Sequence, residues 1–192
     1  ANELAAEHEV QRVYSEYRDA CTDSDIDIVV VCTPLAFHAP VTIYAAKQKK
    51  HVFCEKPMTQ TAEDALEMEA AVKKAGVQFG IGFQRSITRD IELLRKWIAE
   101  GKFGPQVIIN IDTMAEVRKK IAMHDADGNM GPVMDFASHE FVMWQNVLQS
   151  RARKVFAMGR TLATGRPELN PIKHLAIDTA LITIEYENGA LL

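Results

Sequence analysis

Glu55, Lys56 and Pro57 follow directly on a short apolar run, His51-Val52-Phe53-Cys54. If that run is a strand of a parallel sheet, the three residues occupy the loop at its carboxyl end. Open α/β sheets bind their ligands at that edge. A lysine desolvated in such a place can serve as an acid, a base or a hydrogen-bond donor. The plainer alternative is a solvated lysine beside a turn proline. Asp135 and His139 form a second pair, four residues apart. On a helix they share one face, about one turn apart. A carboxylate there can orient an imidazole and favour its protonated form. Histidine titrates near neutrality, which makes it a natural proton acceptor. The plainer alternative is an ordinary, weakly stabilising surface pair.

The elements around these residues must place them. Ile28-Val29-Val30-Val31 lies in the near-continuous apolar run Asp27 to Cys32 and stops at Thr33-Pro34. It reads as a strand buried on both faces. Pro40 to Lys50 reads as a helix, with Val41, Tyr44, Ala45 and Gln48 at helical spacing. Thr61 to Ala75 reads as another, opened by a capping box of Thr61 and Asp64 and stopped by Gly76. Val77 to Phe83 completes a run of short strands alternating with helices, the pattern of parallel βα units. Upstream, Ala1 to Glu9 reads as the tail of a helix, Arg12-Val13-Tyr14 as a short strand and Ser15 to Cys21 as a short helix.

The pattern changes after Arg85. Ile87, Ile91, Leu94 and Ile98 mark an amphipathic helix ended by Gly101, and Gly104-Pro105 is a turn. Gln106 to Met114 alternates like a strand. Lys119 to Pro132 is polar and loop-like. Met134, Ala137, Phe141, Trp144 and Leu148 form an apolar stripe that predicts the helix carrying Asp135 and His139. Strands over Arg153 to Gly159 and Asp178 to Tyr186 follow, and Asn188-Gly189 signals a hairpin turn. The expected fold is α/β. Residues 1–84 read as parallel βα units and residues 85–192 as an α+β domain. The chain begins inside a helix and ends just after a hairpin turn, so both domains are expected to be partial.

Composition bounds the partners. The 192 residues are 47% hydrophobic and 25% charged, with a net charge of −4, an ordinary globular balance. An acidic balance disfavours nucleic acid and anionic membrane surfaces. No apolar run approaches the roughly 18 to 20 residues needed to span a bilayer. Cys21, Cys32 and Cys54 have no metal-binding spacing and read as buried, unpaired thiols, in keeping with a reducing, cytoplasmic setting. Asp125, Asp127 and Asn129 have the first spacings of a calcium loop. Met130 stands where its glycine belongs and Phe136 where its glutamate belongs, so no metal is expected. His124, His174 and Asp178 read as loop residues. Lys47, Lys49 and Lys50 read as a helix-end cluster that complements the dipole.

Taken in order, Thr33-Pro34, His38, Glu55-Lys56-Pro57, then Gly131, Asp135 and His139 in a second domain resemble the Gfo/Idh/MocA oxidoreductases. This is the family of glucose–fructose oxidoreductase and inositol 2-dehydrogenase. The resemblance covers nearly the whole chain. It implies the later part of a Rossmann nucleotide-binding domain over residues 1–84, joined to an α+β domain with a large open mixed or antiparallel sheet over residues 85–192, and transfer of hydride between NAD or NADP and a sugar, polyol or related cyclic hydroxy compound. Lys56 then matches the lysine that contacts substrate and nicotinamide, His139 the proton acceptor, and Asp135 the carboxylate beside it. Glu55 matches a residue near the nicotinamide ribose. Thr33, Pro34, His38 and Pro57 line the cofactor side, and Arg85 matches a basic position near substrate. A cis Lys56–Pro57 bond is expected, since cis costs only about 0.5–1 kcal/mol before proline. The apolar alternation of the later strands (Ile109, Ile111, Val155, Ile182, Ile184) predicts a homo-oligomer built through that sheet.

Three departures qualify the match. Gly80-Ile81-Gly82-Phe83-Gln84-Arg85 lacks the third glycine of a phosphate-binding turn and falls at the end of the domain, so that turn is not supplied here. Val142 stands where the family often has an acid. Pro132 replaces a small residue, in a position where proline suits a first helical turn. The alternative function is a non-catalytic ligand sensor or regulator on the same fold. Retention of Lys56, Asp135 and His139 favours the enzyme.

Overall fold

Three short runs pair in parallel in the first half of the chain. The computed structural model describes residues 2–114 and 121–192. They divide into two compact units, Ala1–Gly82 and Phe83–Leu192. In the first unit α1 (Asn2–Glu7) and α2 (Tyr17–Thr22) precede β1 (Ile28–Val31), α3 (His38–Lys47), β2 (His51–Cys54), α4 (Ala62–Ala75) and β3 (Phe79–Ile81). The sheet order is β1-β2-β3, with Val31 opposite Cys54 and Cys54 opposite Ile81. Each neighbouring strand is therefore reached by a crossover, as parallel pairing requires.

The core of this unit gathers Cys21, Val31, Val41, Ala45, Val52 and Cys54, with Tyr17, Tyr44 and Phe79 at its margin. Burial pushes the Cys54 thiol up to about 11, which keeps it neutral. α4 starts where the Thr61 hydroxyl accepts from the Asp64 N–H at 3.1 Å, and ends at Gly76 with φ +68°. Lys49 Nζ donates to the Ala75 carbonyl at 2.9 Å and so caps the end of that helix. Lys50, 9% exposed, donates to the Asp23 carbonyl at 2.7 Å.

Three expectations need correction here. Arg12–Tyr14 is not a strand. Its side chains instead hold the Asp23 turn: Arg12 pairs with Asp23 and Asp25, and the Tyr14 hydroxyl donates to Asp23. These bonds hold the Asp23 carboxyl well below the usual carboxylate range, the Tyr14 bond most of all. β1 is buried on one face only; Ile28 and Val30 are exposed on the other, while Val31 is 1% exposed. Cys32 is exposed, because it lies past the last ladder residue. Gly80 and Gly82 serve strand packing: a Cβ at 80 would lie 3.2 Å from the Phe53 ring, and one at 82 would lie 3.2 Å from the Glu55 carboxylate.

The second unit begins with a 3₁₀ turn, Gln84–Ile87, and α5 (Arg89–Ala99). A 3₁₀ turn at Ile121–His124 leads to α6 (Ala126–Asn129), α7 (Gly131–Leu148), β4 (Ala152–Arg160) and β5 (Thr179–Tyr186). β4 and β5 form an antiparallel pair, with Phe156 opposite Thr183 and Met158 opposite Leu181. One face of β5 supplies Ile182, Ile184 and Tyr186 to a core with Ile109, Leu148, Ala190, Phe141 and Trp144. The opposite face carries Phe156, Met158 and Leu181, all more than half exposed. After the Asn188-Gly189 turn the chain returns, and Ile184 and Leu192 exchange backbone hydrogen bonds at 2.7 and 2.9 Å.

Gln106–Met114 does not form the expected strand. Among the described residues it makes one bridge, Ile108 to Leu191, with bonds at 2.8 and 3.0 Å on either side. Alternation makes a strand possible, but a ladder needs a partner along its length. The expected loop over Lys119 to Pro132 lies partly outside the described residues. Its described part holds the two short helical segments before α7. His124, expected as a loop residue, is 5% exposed.

Candidate active site

The register of the first sheet brings three strand ends level. The Glu55 N–H donates to the Val31 carbonyl and the Gly82 N–H to the Cys54 carbonyl, both at 2.9 Å. Beyond those bonds lie the exposed Cys32-Thr33-Pro34 turn and the half-buried residues Glu55, Lys56 and Pro57. This is the carboxyl edge of a parallel sheet, where ligands of such folds are held. The Lys56–Pro57 bond is cis, as expected. Glu55 Oε2 accepts from the Lys56 N–H at 3.2 Å, and Gly82 leaves the space in which that carboxylate sits.

His38 is 2% exposed, with Nδ1 2.8 Å from the Pro57 carbonyl oxygen and Nε2 3.0 Å from that of Thr33. Its ring therefore faces inward. The cofactor contact expected of His38 from the sequence would be made without its ring nitrogens, since both meet backbone carbonyls.

The second unit holds the other group of residues on α7. Gly131 enters the helix at φ +87°, Pro132 stands in its first turn, and Asp135 and His139 follow one turn apart. His139 is 3% exposed, and Phe83 meets its ring edge-on with centroids 5.9 Å apart. A buried imidazole against an aromatic edge keeps a fixed orientation, which suits directed proton transfer. Asp135 is half-buried.

Arg85, expected near substrate, lies 3.7 Å from Glu140 Oε1 and 5.3 Å over the Phe136 ring. Glu140 Oε2 also accepts from Trp144 Nε1 at 3.2 Å. Phe83 and Glu140 were missed by sequence reasoning. The Glu140–Trp144 spacing of four is a usable signal for one; nothing local announces the other. Arg85 keeps 46% of its side chain exposed.

The entry to α7 is crowded. A Cβ on Gly131 would lie 2.3 Å from the Ala176 Cβ and 3.1 Å from the Ile177 carbonyl oxygen. Left-handed backbone costs an L-residue about 1–2 kcal/mol, and overpacking adds about 1–3 kcal/mol. Gly131→Ala is therefore expected to lose about 2–5 kcal/mol of stability, read as a lowered urea midpoint.

The same approach is tied at the surface by His174 Nδ1, 2.6 Å from Asp127 Oδ2. That hydrogen bond, with the charge of Asp127, raises the His174 pKa. Its stabilisation is fully present below the ordinary histidine value of about 6.5 and is lost as pH rises through the raised folded value. The melting-temperature gap between the protein and His174→Gln should accordingly be widest in mild acid and close at alkaline pH. Asp178, also expected as a plain loop residue, accepts from the Leu162 and Ala163 N–H groups at 3.0 and 2.8 Å. Partial burial pushes its carboxyl up, but these bonds hold it below the usual range.

Comparison with known proteins agrees with this division. Residues 1–83 match the family described as "Oxidoreductase family, NAD-binding Rossmann fold", and residues 91–192 match the GFO/IDH/MocA C-terminal domain. An uncharacterized oxidoreductase of Bacillus subtilis, YrbE, is 33% identical over 97% of this chain and 53% of its own length. Myo-inositol 2-dehydrogenase of Thermotoga maritima is 29% identical over 95% of this chain and 53% of its own. Among solved structures, levoglucosan dehydrogenase in complex with NADH and levoglucosan superposes with a TM-score of 0.83 at 28% identity, covering 100% of this chain and 53% of that one. The chain spans about half the length of the curated relatives it matches.

Proposed function

The chain belongs to the GFO/IDH/MocA oxidoreductase family, and from that premise we propose that it supplies the reacting residues of an NAD- or NADP-dependent oxidoreductase. Its substrate is a sugar, polyol or related cyclic hydroxy compound. The observation that carries the reading is the register of Val31, Cys54 and Ile81. It brings Lys56 and the Thr33-Pro34 turn to one edge of a parallel sheet.

The residues present fit the nicotinamide end of such a cofactor. The turn over Cys32 to Pro34 is exposed, Glu55 and Lys56 are half-buried beside it, and Gly82 leaves that edge clear of side chain. Thr33, Pro34, Glu55 and Pro57 would hold it, with Glu55 toward the ribose. A bound nicotinamide supplies the redox chemistry by accepting or returning hydride. Lys56 holds the substrate hydroxyl oxygen and stabilises the negative charge that grows on it. His139 takes the hydroxyl proton on its ring, and Asp135 keeps that ring oriented. Arg85 offers its guanidinium to the rest of the substrate.

The similarity to levoglucosan dehydrogenase and myo-inositol 2-dehydrogenase supports a cyclic polyhydroxy substrate. The exposed apolar face of Phe156, Met158 and Leu181 supports assembly of identical subunits through the second sheet. The three free cysteines support a reducing, cytoplasmic location. Among the described residues, no helix is long and apolar enough to cross a membrane.

The test is to titrate the protein carrying this sequence with NAD and NADP, following fluorescence. Each cofactor is then offered with a panel of cyclic polyols and anhydrosugars, following the absorbance of reduced nicotinamide. Binding of at least one cofactor and its reduction by at least one compound are expected. Binding without reduction across the panel would move the reading to a sensor.

A further inference from the structure

Two strand-end loops are joined by one side chain. His38, the first residue of α3, reaches the Pro57 carbonyl with Nδ1 at 2.8 Å and the Thr33 carbonyl with Nε2 at 3.0 Å. A carbonyl oxygen only accepts, so the ring N–H donates to one of these two carbonyls, and the tautomer decides which. The ring thus spans from the turn after β1 to the loop after β2. The Glu55 N–H to Val31 carbonyl bond ties β1 to β2 at the strand ends, and His38 links the two loops beyond it. Ala39 and Val41, at 7% and 3% exposure, root this end of α3 in the core, so the ring has a fixed base.

Lys56 lies between the two anchored points. On one side Glu55 is held by the ladder bond and returns its carboxylate to the Lys56 N–H. On the other side the carbonyl of Pro57 lies 2.8 Å from His38 Nδ1. We propose that His38 is a positioning residue for the reaction assigned above: it fixes the direction of Lys56 through the Pro57 carbonyl and touches neither substrate nor cofactor. This rests on the reading of Lys56 as the residue that holds the substrate hydroxyl.

Small misplacements of a reacting group cost up to about 100-fold in rate. His38→Gln and His38→Asn each carry an amide too small to span both carbonyls. In either variant kcat should fall by about 10- to 100-fold, with nicotinamide affinity within a few fold and a cooperative thermal melt retained. The decisive readout is the double variant. If His38 acts through Lys56, His38→Gln should lower turnover by less than about twofold in a Lys56→Ala background, because groups acting as a unit are not additive.

A full multiplication of the two losses would overturn the proposal, as would a near-normal kcat in both His38 variants. Loss of folding in both variants would also overturn it, by making His38 a residue of stability alone. Retained turnover in Lys56→Ala by itself would fail the underlying reading of Lys56, and would do so without reference to any His38 variant.

Discussion

Replacing His139 by alanine is expected to lower kcat by about 10²–10⁴-fold, the usual worth of one proton-transferring side chain. Nicotinamide affinity should stay within a few fold. The side chain is 3% exposed and meets Phe83 edge-on, so the substitution also opens a small cavity. Removing several buried atoms costs about 2–5 kcal/mol of stability, so the assay belongs well below the melting temperature of the variant. His139→Gln, which fills more of the space but is a poor base, separates the two effects. It should recover stability without recovering kcat. Asp135→Asn should be milder than either, because it disorients the imidazole without deleting it.

The second large effect is expected at Lys56. Lys56→Ala should reduce kcat on a similar scale and also raise KM, because the ammonium is assigned to the substrate oxygen before as well as during proton transfer. Its half-buried setting and the ladder bond at Glu55 hold the backbone on its amino side, so the fold should survive the truncation. Lys56→Arg keeps the charge but exchanges a compact ammonium for a broad planar fork, and should recover little. Steady-state kinetics on these variants, with cofactor titration in parallel, separate loss of chemistry from loss of binding.

Much of the fold was legible because its signals are local. The Thr61–Asp64 cap, the Gly76 stop and the Asn188-Gly189 turn each depend on a few neighbouring residues, and each is present. The stripe from Met134 to Leu148 marked α7 and placed Asp135 and His139 on it. The cis bond before Pro57 was legible from the Glu-Lys-Pro motif.

What was not legible depends on residues far apart in the chain. Gln106–Met114 has the alternation of a strand, but among the described residues its backbone bridges only to Leu191, more than eighty residues later. Ile28 and Val30 have the composition of buried strand positions, yet what covers a face is decided by packing rather than by type. The site shows the same limit. The residue types of Lys56, Asp135 and His139 could be read from the sequence. The inward turn of His38 toward Thr33 and Pro57, the Phe83 edge on His139 and the Arg85–Glu140 pair could not, since each joins separate segments.

The proposed reaction moves hydride between a carbinol carbon and a nicotinamide. The most direct measurement follows the label. Cyclic polyols and anhydrosugars deuterated at each carbinol carbon, myo-inositol and levoglucosan among them, are incubated with the protein and oxidised cofactor. The reduced nicotinamide is then examined by NMR. Deuterium is expected at C4 of the nicotinamide from at least one compound, with transfer slowed by about 10²–10⁴-fold in His139→Ala and in Lys56→Ala. A protein that binds the cofactor yet transfers no deuterium from any of them, or that transfers it equally well without His139, would contradict it.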